Sequence, residues 1–175
     1  MGLRGAGARI ASDSIRCVIE AIFAGNAAST RAAMEATGTI PIITVSADPV
    51  GTGFVASLSR PRANVTGLAL MYAELSGKRL ELLTQVLPRA RRVACLLNPA
   101  NPSAVVLRRE TDAAARALGI ELLIVEASTP GRLAQVMAAV AKMRPDALIV
   151  SGDPLFWGSH QALVGAVARQ RLPAM

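Results

Sequence analysis

The sequence predicts an α/β protein of two incomplete lobes, each a parallel sheet covered by helices on both faces. Three observations carry that prediction. Short apolar strands alternate with helix-period segments in the order βαβαβ and then αβαβαβαβ, with short loops between them. The texture changes at Tyr72, so that residues 1–71 and 72–175 read as separate parts. The strand ends Val45-Ser-Ala-Asp-Pro49 and Val150-Ser-Gly-Asp-Pro154 are nearly the same five residues, one in each part. Crossovers between parallel strands are expected to be right-handed.

Residues 18–24 read as the first strand. Gly25-Asn26 and Ser29-Thr30 then open a short helix that Gly38 stops after Thr37. A second strand covers 40–45, a short helix or turn 51–59, and a third strand 64–71, with Pro61 between the last two. In the second part, Leu75, Arg79, Leu82, Leu83, Val86 and Leu87 recur at helical spacing until Pro88. A strand over 92–97 follows. Asn101-Pro102 then reads as a cap and first position of a helix running to Gly119. Residues 120–125 are a strand, a helix from Gly131 carries Leu133, Val136, Met137, Val140 and Met143 on one face, and 146–150 are a strand. One last helix holds Leu163, Val164 and Val167, and 172–175 begins another strand.

With 52% hydrophobic and 18% charged residues, the chain can bury a sizeable core. Aromatics are 3%, which argues against RNA recognition by stacked rings. The net charge of +7 would suit a polyanion, but the cations are scattered and form no basic arm or helix, so no nucleic-acid partner is expected. No apolar run reaches the roughly 18 residues a membrane span needs. The N-terminus has positive charge without a continuous apolar stretch behind it, so no signal peptide is expected and the chain as given would be cytoplasmic. Cys17 and Cys95 lack metal or redox spacing, and Cys95 reads as a small core residue.

Ligands of open parallel sheets bind beyond the C-terminal strand ends. There the chain offers Asn26 and Ser29, Ser46 and Asp48, Asn98 and Asn101, Ser128, and Ser151 and Asp153. These are neutral donors and acceptors with one carboxylate per lobe, suited to a small polar or zwitterionic ligand. An Asp would pair with an amino group, and a carboxylate would sit on helix N-terminal N–H groups after Asn26 or Asn101. The same residues also serve plain turn chemistry, with Asp48 and Asp153 capping the next segment. Phe156 and Trp157 either wall an apolar ligand group or pack as core.

Catalysis is disfavoured. Gly51-Thr-Gly-Phe-Val-Ala56 satisfies a dinucleotide fingerprint, but Asp48-Pro49 separates it from its strand and no acidic residue ends the next one. His160 is the single histidine and no nucleophile elbow accompanies it. No cofactor or metal is expected.

Five segments resemble the ABC transporter substrate-binding protein family of the type 1 periplasmic-binding-protein fold. They are Thr39–Ile43 with Ala47–Val50, Leu58–Pro61 with Asn64–Gly67, Lys78–Leu83, Leu97–Pro102, and Ser151–Phe156 with Leu172–Ala174. Arg62-Ala63 stands where that family usually has Gly-Gly. The resemblance implies two Rossmann-like lobes that close on an amino-acid-like or other small organic solute in the cleft between them, without catalysis. It further implies delivery to an ABC permease, a periplasmic location, and a chain truncated at both ends. The alternative is the effector-sensing domain of a transcription regulator of the same fold, which would need a helix-turn-helix before residue 18.

Overall fold

Strands β1 (Ile22–Ala24), β2 (Ile42–Ser46) and β3 (Val65–Ala69) pair in parallel in that order. The computed structural model describes residues 19–61, 63–70 and 72–175. Val18, Cys17, Arg62 and Met71 from the sequence reading therefore lie outside the described residues. The chain divides into two compact units, Met1–Met71 and Tyr72–Met175.

In the first unit, helix α1 (Ala27–Ala36) crosses from β1 to β2 and buries Ala27, Thr30 and Ala33. Its core joins those alanines to Ala24, Ile42, Val65, Phe54 and Val55. Helix α1 ends at Thr37 on extended backbone, so Gly38 supplies no left-handed cap here. Residues 51–59 form turns and bends without a helix, and Phe54 and Val55 of the glycine motif are core. That motif therefore opens no helix onto which a dinucleotide pyrophosphate could dock. On the other face of the sheet, Phe23 is 71% exposed, and Ile43 and Leu68 are also exposed. The expectation of helices on both faces thus fails for this unit among the described residues. The period-2 side-chain alternation puts these three on the face away from α1.

The second unit is covered on both sides. Its sheet runs β5 (Glu121–Glu126), β4 (Arg92–Leu97), β6 (Ala147–Val150), all parallel. Helices α2 (Tyr72–Val86) and α3 (Ala104–Leu118) bury Leu80, Leu83 and Ala115 against Val93, Ala147 and Ile149 on one face. The opposite face packs Ala94, Leu96, Val125 and Leu148 under α4 (Leu133–Met143), α5 (Pro154–Gly158) and α6 (His160–Gln170). Two-sided burial explains why β4 and β6 are continuous apolar runs. The last predicted helix is two, divided at Ser159, which ends α5 and begins α6. A single 3-10 turn, Pro130–Arg132, leads into α4. Residues 172–175 extend beside β6, with Leu148 bridged to Ala174.

Asp146 ties the N-terminal ends of β4 and β6 together, accepting from the backbone N–H of Arg91 (2.7 Å) and Arg92 (2.9 Å). Those two bonds hold its carboxyl below the usual carboxylate range, with burial opposing and the Arg92 and Arg91 charges assisting. A depressed folded-state pKa contributes stability that is fully present above the unfolded value of about 3.9 and is lost as pH falls through the folded one. Asp146→Asn should therefore lower Tm slightly at pH 7 and narrow the Tm difference between pH 7 and pH 3. Thermal melts at the two pH values check this, and an unchanged difference would show that the bonds contribute nothing.

Candidate ligand-binding site

Parallel pairing brings the C-terminal strand ends of each unit to one edge of its sheet. In the first unit the register pairs Ala24 with Thr44 and Ser46 with Ala69, so Asn26, Ser46 and Asp48 follow at that edge. Asn26 and Ser29 form a reciprocal capping box. The Asn26 Oδ1 accepts from Ser29 N–H at 2.9 Å, and the Ser29 Oγ accepts from Asn26 N–H at 3.3 Å. The Ser29 hydroxyl also donates to the Asn26 carbonyl at 2.9 Å. Beneath this turn, Thr30 and Thr44 are buried and hydrogen-bonded to each other through their hydroxyls. Asp48 stays in its own turn, accepting from Gly51 N–H at 2.7 Å. A side chain at Gly51 would fall on the Asp48 carboxylate, which accounts for glycine there. Ser46 is 2% exposed, and its hydroxyl is buried without a hydrogen-bond partner among the described residues.

In the second unit three predicted residues meet directly. Asn98 Nδ2 donates to Asp153 Oδ1 at 3.1 Å, and Asn101 Nδ2 donates to Asp153 Oδ2 at 2.6 Å. Asp153 also caps α5, its Oδ1 accepting from Leu155 N–H at 2.8 Å. Asn101 does not cap a helix as its pairing with Pro102 suggested. Helix α3 begins at Ala104 after Ser103, while the Asn101 Oδ1 accepts from Ser103 N–H at 2.9 Å. Ser151 is buried at the end of β6, its N–H bonded to the Leu96 carbonyl at 3.0 Å. Ser128 is half-buried just past β5, following Ala127, whose N–H reaches the Leu97 carbonyl at 3.0 Å.

Phe156 and Trp157 part company. Phe156 is buried in the core beside Leu148 and Leu163, whereas Trp157 is 67% exposed. Both border an apolar groove of about 440 Å³ beside the end of β6, with Leu75 and Leu82 of α2 and Val164 of α6. Arg79, which the sequence reading took only as a helix position, donates through Nη2 to the Val150 carbonyl at 3.0 Å. Its signal was a cation inside an otherwise apolar stripe. Burial pushes the Cys95 thiol up to about 12, with the Arg79 charge opposing and Asp112 adding to the rise. That leaves no thiolate for chemistry near neutrality. Among the described residues no group of three or more His, Cys, Asp and Glu could hold a metal ion.

The model of the family described as "ABC transporter substrate binding protein" matches residues 7–175. The chain belongs to that family. A tyrosine-binding protein of Clostridioides difficile (strain R20291) is 30% identical to this family member over 153 residues, 83% of this chain and 44% of the relative. Two solved structures superpose closely. A conserved domain protein from Vibrio cholerae O1 biovar El Tor gives a TM-score of 0.92 at 24% identity, covering 99% of this chain and 58% of that one. An ABC domain in complex with L-Trp from Streptococcus pneumonia gives 0.90 at 18% identity, covering 99% and 59%. At those identities the two structures show the fold alone, the type 1 periplasmic-binding-protein fold. This substrate-binding family member spans about half the length of the relatives it matches.

Among the described residues, no helix is long and apolar enough to cross a membrane.

Proposed function

We propose that this chain is part of the solute-binding component of an ABC-type uptake transporter. In this reading the C-terminal strand ends hold a small amino-acid-like or organic ligand without chemistry, and a membrane permease receives it. The observation that carries the proposal is the family match over residues 7–175, combined with polar side chains at the ends of β1, β2, β4, β5 and β6. Neutral amides and hydroxyls bind a zwitterion by hydrogen bonds and desolvate at lower cost than charges do. Asn26, Ser29, Ser46, Asp48, Asn98, Asn101, Ser128, Ser151, Asp153 and Phe156 remain the proposed contributors, some by contact and some by shaping the loops. A tyrosine-binding relative and an L-Trp-bound structure favour an amino acid with a ring. Function in uptake places the protein outside the cytoplasmic membrane, facing the permease.

The test is a thermal-shift panel of L-tyrosine, L-tryptophan, aliphatic amino acids and benzoate, with the ligand recovered afterwards and assayed for chemical change. Binding should raise Tm in proportion to the logarithm of ligand concentration, about 2.7 kcal/mol of stabilisation at a hundredfold excess over Kd. The ligand should return unaltered. A flat panel from folded protein, or turnover of any compound, would overturn the proposal.

A further inference from the structure

Asp153 is 3% exposed, and its carboxylate accepts three hydrogen bonds from protein donors. A carboxylate offers four lone-pair positions, and three are filled by Asn98 Nδ2, Asn101 Nδ2 and Leu155 N–H. The two asparagines lie more than fifty positions away in sequence, in the loop that follows β4. Each uses its amide in both directions. The Asn98 Oδ1 accepts from Ala100 N–H at 3.0 Å and the Asn101 Oδ1 from Ser103 N–H at 2.9 Å, which shapes the loop, while both Nδ2 groups reach Asp153. Pro99 and Pro102 have no N–H and a fixed φ, so the loop has few other ways to fold. Pro154 fixes the backbone on the other side, at the first position of α5.

From this geometry, and resting on the solute-binding reading above, we infer that Asp153 is a positioning residue rather than the partner of a ligand's ammonium group. Its carboxylate locks the loop after β4 onto the loop after β6, so that the rim of the second unit meets a ligand as one rigid piece. The loops do the recognising, and Asp153 holds their separation and register. Bonds to an ionised acceptor are shorter and stronger than neutral ones, which explains a carboxylate at a buried position. Reaching it with a ligand would require the clamp to open first.

The chemistry suggests a swap that keeps every bond and moves the charge. In Asp153→Asn, one of the two facing amides meets a donor instead of an acceptor, so a bond is lost. In Asn101→Asp with Asp153→Asn, the carboxylate at 101 accepts from Ser103 N–H and from the amide at 153, whose oxygen accepts from Leu155 N–H and Asn98 Nδ2. Hydrogen exchange at Ala100, Ser103 and Leu155, together with L-tyrosine titration, reads both consequences in the full chain. Asp153→Asn should accelerate exchange at Ala100 and Ser103 by about tenfold or more, with Leu155 N–H still held by the amide oxygen at 153, and weaken L-tyrosine binding by a similar factor. The swap should restore both to within about threefold of the starting protein. Exchange restored without binding would identify Asp153 as the ligand's counter-ion and overturn the inference. Unchanged exchange at Ala100 and Ser103 in Asp153→Asn would overturn it as well, because the loops would not be coupled. So would faster exchange with unaltered affinity, the mark of a purely structural clip. If the starting protein binds neither L-tyrosine nor any other member of the panel, the proposed function fails, and the exchange data decide the clamp by themselves.

Discussion

Replacing Gly67 by alanine should detach the third strand of the first unit. Gly67 sits within β3 at φ +152°, a conformation that L side chains rarely adopt, opposite Thr44 of β2. A Cβ there would fall on the Thr44 backbone, its carbonyl oxygen first. A flexible side chain could yield, but this obstacle is the neighbouring strand itself, so β2 and β3 must separate. Their separation breaks the ladder that ends with Leu70 N–H on the Ser46 carbonyl at 2.7 Å, and it uncovers Ile42 and Val65. The combined strain and lost pairing should destabilise the unit by about 3 kcal/mol or more. Denaturant unfolding monitored at β3 amides checks this. A loss under about 0.5 kcal/mol, the size of an ordinary surface change, would contradict the described register.

Leu148→Ala should have the largest effect in the second unit. Leu148 is fully buried in the middle of β6, in the cluster containing Ala94, Leu96, Met137, Val140 and Leu163. Its backbone also holds the chain end, through Leu148 N–H to the Pro173 carbonyl at 2.8 Å and Met175 N–H to the Leu148 carbonyl at 3.0 Å. Truncation removes the transfer energy of three carbons and leaves a cavity that helices on one side and a sheet on the other cannot close. The expected cost is about 2–5 kcal/mol. For a unit of this size that lowers Tm by about 10–20 °C. Val164→Ala, at an exposed position of α6, should change stability by less than about 0.5 kcal/mol and serves as the control. Calorimetry of the pair decides, and equal effects would mean that the core lies elsewhere.

The parallel α/β architecture was legible because burial writes itself into composition. Strands covered on both faces must be apolar throughout, and Val93–Leu97 and Ala147–Val150 are. The Asn26 cap was legible too, since its partner Ser29 is three residues away. What resisted reading depends on partners distant in sequence. Asp48-Pro49, Asn101-Pro102 and Asp153-Pro154 look alike as helix starts, yet only the last begins one. Asn101 fails as a cap because its side chain is divided between Ser103 and Asp153, and no local pattern reveals a partner 52 positions on. The exposed face bearing Phe23, Ile43 and Leu68 escaped for a similar reason. Alternation shows that a face is apolar, whereas which helix lies over it is a property of the whole fold. At the candidate site the residue types were legible, and the division of labour among them was not: Asn98, Asn101 and Asp153 are joined to one another.

A small solute bound at the C-terminal strand ends of this family member would perturb the backbone there and leave the opposite strand ends untouched. Backbone amide shifts recorded while L-tyrosine or L-tryptophan is added test this most directly, because they locate even weak binding residue by residue. Saturable shifts are expected at 26–29, 46–48, 98–101, 128–129 and 151–156, with the amides at the opposite ends of the strands, near Arg91 and Asp146, unmoved. Saturable shifts confined to those opposite ends, or none at any position with the protein folded, would contradict it.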